Sequence, residues 1–125
     1  THRVSDCALA PRVRPAAHFE EPPMISVIAV ITAKPGQRDT VLGHFRANVP
    51  AVLAEQGCIE YGAHVDTEGM GGFQTKFGPD TFVVLEKWAS VDALKAHAAA
   101  PHMAAYAGRT RDLLASRVIH VVSAT

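Results

Sequence analysis

The chain has 125 residues, of which 48% are hydrophobic, so one domain can bury a core without disulfides or structural metal ions. Twelve basic residues balance twelve acidic ones, so the chain has no net positive charge. It therefore lacks the excess of positive charge that binding to nucleic acid or to an anionic membrane surface requires. The two cysteines lie in unrelated contexts and imply no disulfide framework.

The N-terminal 23 residues differ in composition from the rest of the chain. Thr1 to Pro23 contains four prolines and three arginines without a lasting hydrophobic period. It lacks the apolar core of a secretory signal, and no later segment has the roughly eighteen uninterrupted apolar residues of a membrane span. We interpret residues 1–23 as a flexible or accessory extension and residues 24–125 as the domain, and we expect a cytoplasmic protein.

The first half of the domain predicts a strand, a helix and a second strand. Met24 to Thr32 is β-branched and apolar on both faces, which is typical of a buried strand. Apolar side chains from Gln37 to Gln56 follow helical spacing, and Pro50 is expected to kink that helix. Gly57 provides a helix stop, and Cys58 to Asp66 is the predicted second strand.

A glycine-rich segment from Thr67 to Asp80 then predicts a long loop. Its Met70, Phe73 and Phe77 are more apolar than an exposed loop needs, so we expect the loop to cover part of a site. The next strand, Thr81 to Ala89, alternates so that its even-numbered residues share one face.

Ser90 is a candidate helix N-cap, and the helix that follows is expected to run to about Ala99. Pro101 suits the first turn of another helix, which we expect to continue to about Ser116. Arg117 to Ser123 is the predicted last strand.

The order β-α-β-β-α-β, with its second helix broken in two, predicts an α+β ferredoxin-like sandwich. Helices cover only one face of such a sheet, whereas the first and last strands are apolar on both faces. We therefore expect a second copy to cover the other face, giving a homodimeric α+β barrel that encloses a cavity in each half.

The passage from Glu86 to Tyr106 concentrates the candidate site. Trp88 and Glu86 share a strand face, so Glu86 lies beside a large apolar side chain. Its carboxylate must therefore have a charged or hydrogen-bonding partner, be solvated at the rim of a cavity, or have a raised pKa. His97 and His102 are five residues apart, which on one continuous helix separates their side chains by about 140°. The break at Pro101 is expected to bring them together, with His102 in a first helical turn that disfavours its charged form.

Each of these residues also has a structural interpretation. Trp88 is typical of a core, Tyr61 of a half-buried sheet, and His102 of a turn or an exposed helix start. The seven histidines show no metal-binding spacing, and the glycines near Met70 do not precede a helix. The sequence therefore predicts no metal site and no nucleotide cofactor.

Several spaced segments from Met24 to about Val122 resemble the antibiotic-biosynthesis monooxygenase superfamily, most closely its small bacterial quinol monooxygenases. The segments include Lys34-Pro-Gly-Gln, Glu55-Gln-Gly-Cys-Ile-Glu-Tyr61, Glu86-Lys-Trp88, and Ala96-His97 through Pro101-His102-Met103 to Ala105-Tyr106.

This resemblance implies a homodimer that oxidises an aromatic quinol or phenol with O₂ and uses no metal or organic cofactor. It suggests His102, His97 and Trp88 as the catalytic residues. We expect the substrate ring to be held by five further side chains, namely Tyr61, Glu86, Phe73, Met70 and Tyr106.

The fold also hosts other functions, so two alternatives stay open. One is a proton-transfer isomerase of a small signalling metabolite, which needs no O₂. The other is a dimeric protein that binds small molecules without turnover. Haem degradation is not favoured, because the asparagine that haem-degrading relatives use on the first strand has no counterpart in Met24 to Thr32.

Overall fold

A computed structural model describes residues 24–125 of the chain, and the predicted extension 1–23 lies outside the described residues. Four strands and three α-helices make up this part of the chain. Their bounds, in chain order, are β1 Ile25–Ala33, α1 Arg38–Leu53, β2 Cys58–His64, β3 Thr81–Trp88, α2 Val91–Ala98, α3 Pro101–Thr110 and β4 Leu114–Ser123.

The strands form one antiparallel sheet in the order β2-β3-β1-β4. This order and the succession of helices confirm the ferredoxin-like α+β fold. In β1 every second residue is buried, and the buried set begins with Ile25 and Val27. These side chains lie on the face that packs against the helices, together with Phe82, Val84, Glu86 and Trp88 of β3, because paired residues of antiparallel strands share a face.

The core lies between this sheet face and α1. Val41, Leu42, Phe45 and Val52 of α1 are buried at spacings of one helix face. Pro50 lies in the last turn of α1, and the helix ends at Leu53 rather than at Gln56. The backbone N–H of Ala54 still reaches the Pro50 carbonyl at 3.2 Å, which closes the helix before the turn at Gly57.

The predicted break in the second helical segment is confirmed. The Ser90 hydroxyl accepts a hydrogen bond from the Ala93 backbone N–H at 3.1 Å and caps α2. Ala99 and Ala100 separate α2 from α3, and Pro101 occupies the first turn of α3. A change of helix direction therefore lies between His97 and His102.

Three further predicted boundaries were wrong. The last helix ends at Thr110, and β4 begins at Leu114, because Leu114 and Ser116 already pair with β1. Strand β2 ends at His64, two residues earlier than expected. The Asp66 carboxylate instead accepts hydrogen bonds from the backbone N–H groups of Phe77 and Gly78, both at 2.9 Å, and so secures the loop.

Among residues 24–125, no helix is both long and apolar enough to cross a membrane.

Candidate active site

A cavity of about 620 Å³ lies between the sheet and the helices α2 and α3. Its floor consists mainly of apolar side chains from β1, β3 and β4. Its roof includes the small residues Ala98, Ala104 and Ala107, which leave room above the floor. A largely apolar cavity of this size with a few polar groups is typical of a site for a small organic molecule.

The cavity is open along β4. Helix α1 packs against β2 and α3, and every residue of β4 after Leu114 is exposed. Ile119 and Val121 line the cavity, yet 41% and 54% of their surfaces remain exposed. Entry from solvent is therefore along the β4 edge.

A buried carboxylate lies at the inner end of the cavity. Glu86 lines the cavity, and its Oε1 accepts a hydrogen bond of 2.9 Å from the indole nitrogen Nε1 of Trp88. Burial raises the pKa of Glu86, and the Trp88 hydrogen bond opposes that rise. Trp88 is fully buried behind Glu86 and does not itself line the cavity.

Glu55 joins the two histidines. Its Oε2 lies 2.9 Å from Nδ1 of His97 and 2.6 Å from Nε2 of His102. The three side chains come from the end of α1, from α2 and from α3, so the turn after α1 and the break at Pro101 together create the cluster. The Glu55 side chain is only 13% exposed, and its two hydrogen bonds offset the cost of burying a carboxylate.

This arrangement determines which nitrogen of His97 is free. An ionised carboxylate only accepts hydrogen bonds, so the Nδ1 that faces Glu55 carries the hydrogen. In the neutral ring the other nitrogen, Nε2, then holds a lone pair, and no hydrogen bond joins it to another residue of the range 24–125. His97 lines the cavity and is 5% exposed, whereas His102 does not line it.

Aromatic rings surround His97. The ring centroid of Trp88 lies 4.6 Å from that of His97, and the ring of Tyr61 meets His97 edge-on at 5.5 Å. Phe45 stacks on Tyr61 at 5.1 Å and contacts Tyr106 edge-on at 6.2 Å. These contacts hold His97 in one orientation.

The two tyrosines that line the cavity keep their hydroxyl hydrogens. Burial raises the pKa of Tyr61 far above its ordinary value, and the nearby Glu86 raises it further. Burial raises the pKa of Tyr106 to about 12, with Arg117 acting in the opposite direction. Both phenols are therefore hydrogen-bond donors at neutral pH.

Glu55, His97 and His102 also form a possible metal donor set, because their facing atoms all lie within 4.8 Å of one another. Two ligands of a tetrahedral zinc ion are separated by about 3.3 Å, given bonds of about 2.0 Å. The separations of 2.6 and 2.9 Å here are shorter and match direct hydrogen bonds. In this structure the two histidines are therefore joined to Glu55 by direct hydrogen bonds.

Two predicted substrate contacts do not reach this cavity. Phe73 lies in a short 3₁₀ turn, Gly71–Phe73, and is 88% exposed, while Met70 precedes that turn and is 47% exposed. Neither lines the cavity. The loop is held instead by the two backbone hydrogen bonds to Asp66.

Glu55 has no place among the catalytic or binding residues predicted from the sequence. One local signal points to it, since a carboxylate that directly follows a helix lies against the negative end of the helix dipole and needs compensation. The compensating groups are 42 and 47 residues further along the chain. Only the folded chain identifies them.

Residues 24–109 match the model of a family described as antibiotic biosynthesis monooxygenase. The chain is also 45% identical over 85 residues to the Escherichia coli K12 protein named "Probable quinol monooxygenase YgiN". That alignment covers 66% of this chain and 81% of the relative.

Solved structures show the same fold. PA3566 from Pseudomonas aeruginosa superposes with a TM-score of 0.70 at 25% identity, over 86% of this chain and 99% of that one. Rv0793 from Mycobacterium tuberculosis gives a TM-score of 0.67 at 23% identity, over 82% and 95%. The family match over most of the described residues and the 45% identity to the relative show that the chain belongs to the antibiotic biosynthesis monooxygenase family.

Proposed function

We propose that this protein is a monooxygenase that oxidises a quinol or a related aromatic phenol with O₂, without a metal or organic cofactor. The observation that carries the proposal is the hydrogen bond between His97 and Glu55 beside an apolar cavity. This pair supplies a base next to a space suited to a flat ring. Family membership and the 45% identity to YgiN support a monooxygenase-like activity.

His97 is the proposed base, acting through Nε2. A phenol of pKa about 10 gives its proton to an imidazole of pKa about 6.5 at a cost of about 5 kcal/mol in water. Glu55 lowers this cost because its carboxylate stabilises the imidazolium that forms, and in this proposal the Tyr61 hydroxyl donates a hydrogen bond to the phenolate. His102 holds Glu55 from the other side.

The phenolate then reacts with O₂ at a ring carbon. A C–O bond forms, and the peroxide oxygen takes a proton from the His97 imidazolium. Loss of the hydrogen on that carbon as a proton breaks the O–O bond and releases water. Quinol and O₂ thus give a hydroxyquinone and one water molecule, so that the substrate loses four electrons and O₂ gains four.

The remaining predicted residues have separate proposed roles. Trp88 holds Glu86 and the face of the His97 ring, so it acts through them and not on the substrate directly. Glu86 and Tyr106 border the substrate ring. Met70 and Phe73 are exposed in the single chain, and we propose that they contact substrate only if the dimer brings them near a cavity.

Oxygen uptake with 2-methyl-1,4-naphthohydroquinone tests the proposal, with autoxidation subtracted. We expect His97→Ala to lower the enzyme-dependent rate by 10²-fold or more, which is the range for a general base. His64→Ala is the matched control, because His64 is exposed at the end of β2 and lies outside the cavity. Equal rates for the wild type and His97→Ala would refute the role of His97.

The same experiment separates the alternatives. A proton-transfer isomerase would use the His97–Glu55 pair without O₂, so its turnover would continue under nitrogen. A binding protein would be stabilised thermally by aromatic ligands and would release no product under air. Incorporation of one ¹⁸O atom from ¹⁸O₂ into the product is the result expected for the monooxygenase.

We also propose that the protein works as a homodimer. The sheet face away from the helices carries Val83 and Leu85 of β3, and Val118 and Val122 of β4 on this face are 48% and 44% exposed. Facing sheets of two copies would bury this surface and complete an α+β barrel.

Sedimentation at micromolar concentration tests the dimer, with a mass of twice 13.3 kDa expected. Val118→Asp places a charge on the proposed interface and should yield monomers. The exposed Val91→Asp in α2, away from this face, is the control. A wild-type monomer would defeat the proposal.

A further inference from the structure

The cavity is electrostatically asymmetric. Its inner end carries the carboxylate of Glu86, whereas its only arginines or lysines among the residues described are Arg111 and Arg117. Arg111 directly follows α3, and Arg117 projects from β4 on the face that lines the cavity. Both positively charged residues line the cavity, and both are exposed.

Strand register separates Arg117 from Glu86. Arg117 pairs with Ile31 of β1, and Ile31 pairs with Phe82 of β3, four residues from Glu86 on the same face. With about 3.4 Å per residue and 4.8 Å per strand, the two Cα atoms are roughly 17 Å apart. This register places the two residues toward opposite ends of the sheet face that lines the cavity.

Neither arginine is neutralised by a neighbour in the described part of the chain. Within residues 24–125, no carboxylate lies within 4.0 Å of the Arg111 or Arg117 guanidinium. The ion pairs in this range join Lys76 to Glu68 and the two histidines to Glu55. The charge of Arg117 nonetheless reaches the cavity interior, where it lowers the pKa of both Glu86 and Tyr106 against the effect of burial.

From these observations we infer that Arg117, assisted by Arg111, forms an anion subsite and that the aromatic substrate carries a carboxylate. The inference rests on the proposed function and names its substrate class. The ring of an aromatic hydroquinone carboxylate lies over the apolar floor, its hydroxyl faces His97, and its carboxylate faces the β4 edge. Glu86 repels the reverse orientation. A planar guanidinium suits this role because it donates two parallel hydrogen bonds to a carboxylate.

Calorimetric titration tests the subsite without turnover. The probes are 2-naphthoate and its neutral isostere 2-naphthamide, neither of which is a quinol. We expect naphthoate to bind about tenfold more tightly than the amide, as for a hydrogen bond to a charged group. Arg117→Gln should remove this preference and leave amide binding unchanged, and Arg117→Lys should restore part of it.

Arg46→Gln is the matched control, because Arg46 is exposed on α1 outside the cavity.

Equal binding of the two probes to the wild type would overturn the inference and leave the proposed oxidation intact. It would mean that Arg117 is a solvated charge that protects a sheet edge. If neither probe binds, both the subsite and the aromatic cavity function fail. Rates with a hydroquinone carboxylate and with its neutral counterpart then report on catalysis separately.

Discussion

Glu55 and His97 are 42 residues apart in the chain and 2.9 Å apart in the structure. The carboxylate orients the imidazole through Nδ1 and leaves Nε2 as the nitrogen that faces no protein partner within residues 24–125. A pair of this kind makes a histidine a directional base, since the hydrogen bond selects its tautomer and stabilises its charged form.

Glu55→Gln tests this relationship. The amide keeps the shape of the side chain but loses the charge that stabilises the His97 imidazolium. We expect the enzyme-dependent rate of oxygen uptake to fall by roughly 10²-fold, with little change in substrate binding. Urea unfolding of the variant provides the control for stability. A rate within a factor of two of the wild type would contradict the role of Glu55.

His102→Ala separates the two histidines. Because His102 contacts Glu55 but does not line the cavity, its loss removes one hydrogen bond from the carboxylate and leaves His97 in place. We expect a fall in rate of about tenfold, smaller than that for His97→Ala. Steady-state kinetics of both variants at one pH makes the comparison. A larger effect for His102→Ala would make His102 the base.

Glu86→Gln is expected to stabilise the protein in a pH-dependent manner. Burial raises the pKa of Glu86 in the folded chain, so the folded state holds its proton more strongly than the unfolded state. The wild type therefore loses stability as the pH rises from the ordinary glutamate pKa through the raised one. At pH 7 the glutamine variant should be more stable by on the order of 1 kcal/mol, because it buries no charge and still accepts the Trp88 hydrogen bond.

Urea unfolding of both proteins between pH 4 and pH 8 measures this difference. The advantage of the variant should shrink toward pH 4, where the wild-type carboxyl is mostly protonated in both states. An advantage that is constant with pH would show that Glu86 does not carry a raised pKa in the folded chain.

Gly57→Ala is expected to damage the turn that places Glu55. Gly57 has a φ of +85°, and an added Cβ would lie 2.6 Å from the Cβ of Ala93 in α2. We expect a loss of roughly 2–4 kcal/mol of unfolding free energy from overpacking and backbone strain together. Gly36→Ala is the control, because its φ of +78° imposes a similar strain with no atom within 4 Å of the new Cβ. Equal losses for the two variants would mean that the contact with Ala93 costs nothing.

Treatment with a chelator should leave the rate unchanged. Glu55 lies at hydrogen-bond distance from His97 and from His102, and both distances are shorter than the ligand separations in a tetrahedral zinc site. Oxygen uptake before and after dialysis against EDTA makes the measurement. Loss of activity with recovery on adding a divalent metal would assign the cluster to a metal instead.

The order of elements followed from local patterns in the sequence. The shared face of the even-numbered β3 residues, the Ser90 cap and the break at Pro101 each depend on neighbouring residues, and the structure contains all three. These features also predicted that His97 and His102 come close together. The start of β4 could not be found this way, because Leu114 leaves the helical pattern only through its pairing with Ala33 of β1.

The sequence by itself determined the fold class, the strand faces and the region in which the histidines lie, because hydrophobic period, caps and proline act over a few residues. Only the tertiary structure decided that Glu55 joins the histidines, that His97 and not His102 lines the cavity, and that Met70 and Phe73 lie outside it. Hydrogen bonds and cavities depend on atoms that packing brings together across tens of residues, and no local pattern encodes those distances.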